Sequence, residues 1–368
     1  MKMSKKIRTL VSTALISAMV LTMGGMSAFA DNTSVTGSST AVTIDKYLVM
    51  DKGANVPNAT FSYAIEPGEL VSANGDYPEV KAGIGTVTIS DTAFAAGDTT
   101  STESNSIVTL ATDQKYAKKQ ATVDFSNVTF TEPGIYRYVI TENDTNEAGI
   151  TKDSNKLYLD VYVTSDNDGK LTIARYILHK TEEVAKKDGS YTGEDEKTTG
   201  FVNTYATKDL TLEKQVTGNQ GDRNKAFKFT LNISNADEGT QYTMVASPSE
   251  LIREGEDTLT ATDGKVKTTI SLKDNQSLTI LGLTADTKFE ITEDNYSAEG
   301  YTTTNTHGDG LTTGEEIMSD ADNKVVFTND KSVTTPTGIV MTFGPYVLLI
   351  ALAAVFGTLF FRRKREEF

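Results

Sequence analysis

Val42-Thr43-Ile44-Asp45-Lys46, near the start of the chain, decides the fold, because it returns as Leu210-Thr211-Leu212-Glu213-Lys214. Both runs alternate apolar and polar residues, the pattern of a strand with one buried face. Working outward, other strand-like segments recur in the same order. Ala59-Thr60-Phe61-Ser62-Tyr63 corresponds to Ala226-Phe227-Lys228-Phe229, and Tyr138-Val139-Ile140-Thr141-Glu142 to Phe289-Glu290-Ile291-Thr292-Glu293. Phe201-Val202-Asn203 corresponds to Phe327-Thr328-Asn329. Such internal repetition is the mark of a duplicated unit. Short runs of Val, Ile, Thr, Tyr and Phe, broken by Gly, Asn and Asp, predict an all-β chain of two tandem immunoglobulin-like sandwiches. The expected bounds are 31–204 and 205–331. Leu157 to Val163 and Leu171 to Leu178 flank Ser165-Asp166-Asn167-Asp168-Gly169 and read as a hairpin. That acidic turn is not a calcium loop, which would need Asp in place of Thr164 and Glu in place of Arg175.

Six polar residues fall in phase with the apolar face. Lys46 follows Val42 and Ile44, and Lys214 follows Leu210 and Leu212. Glu142 follows Tyr136, Tyr138 and Ile140, and Glu293 follows Phe289 and Ile291. Asn203 follows Phe201, and Asn329 follows Val325 and Phe327. Residues two apart in a strand share a face, so all six are expected to point into a core. A lone lysine ending an apolar stripe usually reaches back to solvent. The same ordered trio, Lys then Glu then Asn, occurring twice argues for a shared purpose. Burial lowers a lysine pKa and raises a glutamate pKa. A neutral amine is a nucleophile. A protonated Glu can donate to an Asn carboxamide and polarise its carbonyl. Attack then expels ammonia and leaves a Lys–Asn isopeptide bond, with Glu142 and Glu293 as the catalytic groups and no cofactor.

The chain has no Cys, so disulfides and thiol chemistry are excluded, and any covalent staple must be of another kind. Only His179 and His307 are available, which argues against a histidine-based metal site, and no metal is expected. The net charge of -15 excludes nucleic acid as a partner. No nucleophile elbow or phosphate loop is present, so the chain is not expected to be an enzyme.

Both ends read as targeting segments. Lys2, Lys5, Lys6 and Arg8, the apolar run from Leu10 to Met23, and Ala28-Phe29-Ala30 predict a cleaved signal peptide over residues 1–30. At the other end, residues 332–338 carry Thr335-Pro336-Thr337-Gly338. The uncharged run from Ile339 to Phe361 and the basic Arg362-Arg363-Lys364-Arg365 fill 339–368. The uncharged run is 23 residues long, enough for one transmembrane helix. Pro-Thr-Gly directly before it resembles a sortase sorting signal, in the variant that lacks the leading Leu. That resemblance implies cleavage between Thr337 and Gly338, with Thr337 as acyl donor. Loss of both ends removes six net positive charges and leaves about -21.

With these signals and the doubled Lys–Glu–Asn trio, the chain resembles the streptococcal-type backbone pilins of Gram-positive sortase-built pili. Gly221-Asp222-Arg223 adds to the likeness. The resemblance implies two stapled domains, Lys46 to Asn203 and Lys214 to Asn329, in a cell wall-anchored pilus subunit. The partners it implies are a pilin-specific sortase, other copies joined head to tail, minor pilins, peptidoglycan and a host surface ligand. It also implies an acceptor lysine shortly before the first-domain Asn. Lys197 fits best among Lys180, Lys186, Lys187 and Lys197, although it precedes Thr198-Thr199 rather than the family's Val-Pro. The alternative is a wall-anchored adhesin or minor pilin that does not polymerise.

Overall fold

The computed structural model describes residues 40–333, except 146, 166–167, 183, 185, 187–196, 253–254, 309 and 321–322, together with 346–358. The signal peptide and Thr335 to Gly338 lie outside the described residues. Residues 346–358 are helical. Among the described residues no helix is long and apolar enough to cross a membrane, and the expected span of Ile339 to Phe361 runs beyond them at both ends.

The first body is built from β1 (Ala41–Asp51), β2 (Tyr63–Pro67), β3 (Gln114–Asp124), β4 (Gly134–Glu142), β5 (Ile150–Thr151), β6 (Leu157–Ser165), β7 (Leu171–His179) and β8 (Gly200–Tyr205), with shorter strands between. One sheet runs β5-β8-β1-β3 and the other β7-β6-β4-β2. The second body has β9 (Lys208–Thr217), β10 (Phe227–Ser234), β11 (Gln241–Ser247), β12 (Lys265–Leu272), β13 (Ser277–Leu283), β14 (Lys288–Glu293), β15 (Thr302–Asn305) and β16 (Lys324–Asp330). Its sheets run β11-β13-β9-β16-β15 and β12-β10-β14. Each pair of sheets encloses its own apolar core. Ile44, Phe61, Tyr138, Leu159 and Phe201 lie in one, and Leu212, Phe229, Ile280, Ile291 and Phe327 in the other. Both bodies are therefore all-β, and β6 and β7 pair as an antiparallel hairpin.

The repeat extends to register. The first strand of each body pairs in parallel with the last, β1 with β8 and β9 with β16. Lys46 sits opposite Phe201 and Leu48 opposite Asn203, while Lys214 sits opposite Phe327 and Val216 opposite Asn329. Such a pair of strands, remote in sequence, brings the two ends of each body together. At the head of β8 the approach is close enough to need glycine, since a Cβ on Gly200 would lie 1.6 Å from the Asp45 carbonyl oxygen.

The bodies are joined by Ala206 and Thr207 and by polar contacts. Asn55 Nδ2 donates to the Gln241 carbonyl at 2.9 Å and to Thr243 Oγ1 at 3.0 Å, and Asn58 Nδ2 donates to the Glu238 carbonyl at 3.1 Å. Asp237 stands in the field of Glu147 and Asp286 near this junction. Burial first, then Glu147 and Asp286, push its carboxyl up to about 6. The folded state thus holds a proton that the unfolded chain releases near 4. This stabilisation is complete below about 4 and is lost as pH rises through 6. Because Asp237 is partly exposed, we expect a loss of ~1 kcal/mol between pH 4 and 7. Denaturant unfolding across that range, with Asp237→Asn flattening the slope, checks it.

Candidate functional site

All six in-phase polar residues are buried, and they come together as two trios. In each, the Lys and Asn lie on the parallel first and last strands, and the Glu reaches across from the end of a strand in the facing sheet. Lys46, Asn203, Lys214 and Asn329 are 0% exposed. Such groups remain buried only when they are paired or neutral.

In the first trio, Lys46 Nζ donates to Glu142 Oε2 at 2.5 Å. Asn203 Nδ2 donates to Glu142 Oε1 at 2.5 Å. The carboxylate therefore bridges the attacking nitrogen and the nitrogen that must leave. Asn203 Oδ1 accepts from the Asp153 main-chain N–H at 2.8 Å. That N–H can only donate, so it fixes the amide orientation with oxygen towards Asp153 and nitrogen towards Glu142. The expected O–H of a protonated glutamic acid on the carbonyl is not the arrangement here. The carbonyl is already engaged by main chain, and Glu142 meets the amide NH2 instead. Burial pulls the Lys46 ammonium down to about 8, against the opposing pull of Glu142. The Phe61 ring lies 4.6 Å beneath Nζ and offers its negative face.

The second trio is arranged differently. Lys214 Nζ donates to Asn329 Oδ1 at 2.7 Å, to the Gln215 carbonyl at 3.0 Å and to the Phe327 carbonyl at 3.2 Å. Glu293 Oε1 is 3.5 Å from Nζ. Neither Glu293 oxygen nor Asn329 Nδ2 has a hydrogen-bond partner. Burial pushes the Glu293 carboxyl up and pulls Lys214 down to about 8. Burial thus works against both charges of this pair. The Phe227 ring lies 4.5 Å from Lys214 Nζ, as Phe61 does in the first trio.

Sequence reading missed Asp153. Its signal was the Asp153-Ser154-Asn155 spacing: Asp153 Oδ1 accepts from the Asn155 main-chain N–H, the closure of an Asx turn. It also missed a buried polar cluster in which Arg137 makes two bonds to Asp160, at 2.7 and 2.8 Å, and His179 Nε2 lies 3.0 Å from Asp160 Oδ2. His179 forms an isolated bridge with Lys197. Lys197 is thus half-buried and tied to the end of β7 rather than free in an open loop. Lys180 is exposed, Lys186 is half-buried and Lys187 lies outside the described residues. Among the described residues no group of acids and histidines could hold a metal ion.

Comparison with known proteins follows the same division. Residues 81–206 match the family of the Spy0128-like isopeptide containing domain, and residues 208–331 match a family described as a domain of unknown function. The chain is 29% identical to a pilin of Streptococcus pyogenes serotype M1, over 95% of this chain and 98% of that one. It is 34% identical to the pilus tip adhesin Cpa of Streptococcus pyogenes over 135 residues, which is 36% of this chain and 18% of the adhesin. The crystal structure of the major pilin from Streptococcus pyogenes superposes with a TM-score of 0.53 at 24% identity, covering 80% of this chain and 99% of that one, a likeness of fold.

Proposed function

We propose that this chain, a streptococcal-type pilin, serves as the shaft subunit of a covalently polymerised surface pilus, with each body stapled by its own Lys–Asn isopeptide bond. The reading rests chiefly on the twin trios, held in one register between first and last strands of both bodies. A shaft under tension needs its ends joined inside each domain, and a cross-link between first and last strands carries load without unfolding the sandwich. The role is structural, since each bond forms once and does not turn over. A wall-anchored adhesin would share these staples. The end-to-end likeness to a pilin, against 18% coverage of the tip adhesin, favours the shaft. Denaturing electrophoresis of wall extracts tests this: a ladder supports a polymer, and one band overturns it.

On this reading a sortase cuts between Thr337 and Gly338, holds the Thr337 carbonyl as a thioester and passes it to an amine of another copy or of the wall. Thr337→Ala is expected to leave the chain in the membrane fraction with its C-terminal segment uncut. Covalent recovery of that variant in the wall would overturn the assignment.

A further inference from the structure

The two trios hold the same residues but not the same surroundings, and the difference falls on the atom that gains charge. We propose that the Asp153 main-chain N–H is an oxyanion donor for the Lys46–Asn203 reaction, that the Asp153 side chain positions it, and that the first body therefore closes its staple before the second. The proposal rests on the isopeptide reading above and deepens it.

Attack of Lys46 Nζ on Asn203 Cγ moves the carbonyl electron pair onto Oδ1. A donor already aimed at that oxygen stabilises the tetrahedral state with no reorganisation. The Asp153 N–H is 2.8 Å from Oδ1. It is held there from both sides. Asp153 Oδ2 accepts from the Val202 main-chain N–H at 3.0 Å, which locks the loop to β8 one residue before Asn203. Asp153 Oδ1 accepts from Asn155 N at 3.0 Å and from Asn155 Nδ2 at 2.6 Å, which locks the loop to itself.

The proton path uses Glu142 alone. Glu142 takes one proton from the Lys46 ammonium, and the freed lone pair forms the new C–N bond. Glu142 hands that proton to Asn203 Nδ2 as the old C–N bond breaks. It then takes the surplus proton from the new amide nitrogen. Ammonia departs, the amide N–H remains, and Glu142 finishes protonated, so atoms and charge balance.

In the second trio the position facing Asn329 Oδ1 is filled by Lys214 Nζ itself. The corresponding acidic clamp is misplaced for this purpose: Asp274 Oδ1 accepts from the Val216 N–H on the first strand, not the last. Lys214 must leave its bond to the oxygen before it can attack the carbon, and Asn329 Oδ1 then has no main-chain donor waiting among the described residues.

The test is a pulse of synthesis of the full chain, followed by intact mass and by mapping of the cross-linked peptides with time. Wild type should join Lys46 to Asn203 first and Lys214 to Asn329 later. Asp153→Pro, which deletes the N–H, should slow the first reaction on the order of 100-fold. Asp153→Ala, which cuts the clamp, should slow it less, and Asp153→Asn should recover most of the lost rate. The second reaction should keep its wild-type rate throughout, a readout that general misfolding would move. Equal or reversed order in wild type overturns the proposal and needs no variant. So does a wild-type first-staple rate in both Asp153→Ala and Asp153→Pro. Absence of any ammonia loss in wild type overturns the isopeptide reading itself.

Discussion

The mature chain is expected to weigh two ammonia molecules less than its sequence, with Glu142→Ala restoring one and Glu293→Ala the other. Each Glu is the only carboxylate side chain within about 4 Å of its lysine nitrogen among the described residues. Alanine there leaves no group to accept the amine proton or to supply the departing ammonia. The stability effect should be large and separable into two parts. Each bond would close a loop of more than a hundred residues. Loops of that size lose ~4–5 kcal/mol of stability when opened, mainly because the unfolded chain regains its freedom. Asn203→Ala removes the bond but keeps the Lys46–Glu142 pair, so it isolates this part. Glu142→Ala also strands a buried ammonium, which costs a further ~3–5 kcal/mol. The order of first-body stability should therefore be wild type, then Asn203→Ala, then Glu142→Ala, by denaturant unfolding beside the intact mass. A wild-type mass equal to the sequence mass would sink the isopeptide reading.

Much of this was legible in the sequence because strand period and burial are local. Lys46 in phase with Val42 and Ile44, and Asn329 in phase with Val325 and Phe327, reveal their facing without any knowledge of the partner strand. The duplication then turned single exceptions into a pattern. What stayed hidden depends on groups without a side-chain signature or on distant pairing. The donor at Asp153 is a main-chain N–H, and every residue but proline carries one. Phe61 and Phe227 lie against the lysines only because the strands pair as they do, and either could have been ordinary core. Glu147, Asp237 and Asp286 meet from positions far apart in the chain. The Lys, Glu, Gly and Thr content of residues 180–200 is that of an exposed loop, and among the described residues Lys180 and Glu182 are exposed, whereas Val184 and Thr198 are buried and Lys197 is bridged to His179.

That bridge shapes the second large expected effect, loss of the polymer ladder on changing Lys197. An acceptor lysine must present a neutral amine to a thioester in an enzyme's cleft, so its backbone is best fixed and its tip free to move. Lys197 meets the first need through its pairing with His179, whose ring packs on Asp160 and so on Arg137. The Thr198 main-chain N–H, donating to the Leu178 carbonyl at 2.9 Å, extends the tether. Lys197 also lies six residues before Asn203, so a bond received there passes load through β8 into the proposed staple and on to Lys46. Lys180 has the exposure but lies 23 residues before Asn203 in the sequence. Lys197→Ala, expressed with its sortase, should collapse the ladder to a single wall-anchored band. Lys197→Arg should do the same, because a guanidinium keeps the charge but is not deprotonated to a nucleophile. If Arg sustained the ladder, charge rather than amine chemistry would be the requirement at this position. If both variants polymerised normally, the acceptor would be another lysine, and Lys180→Ala would be the next variant to make.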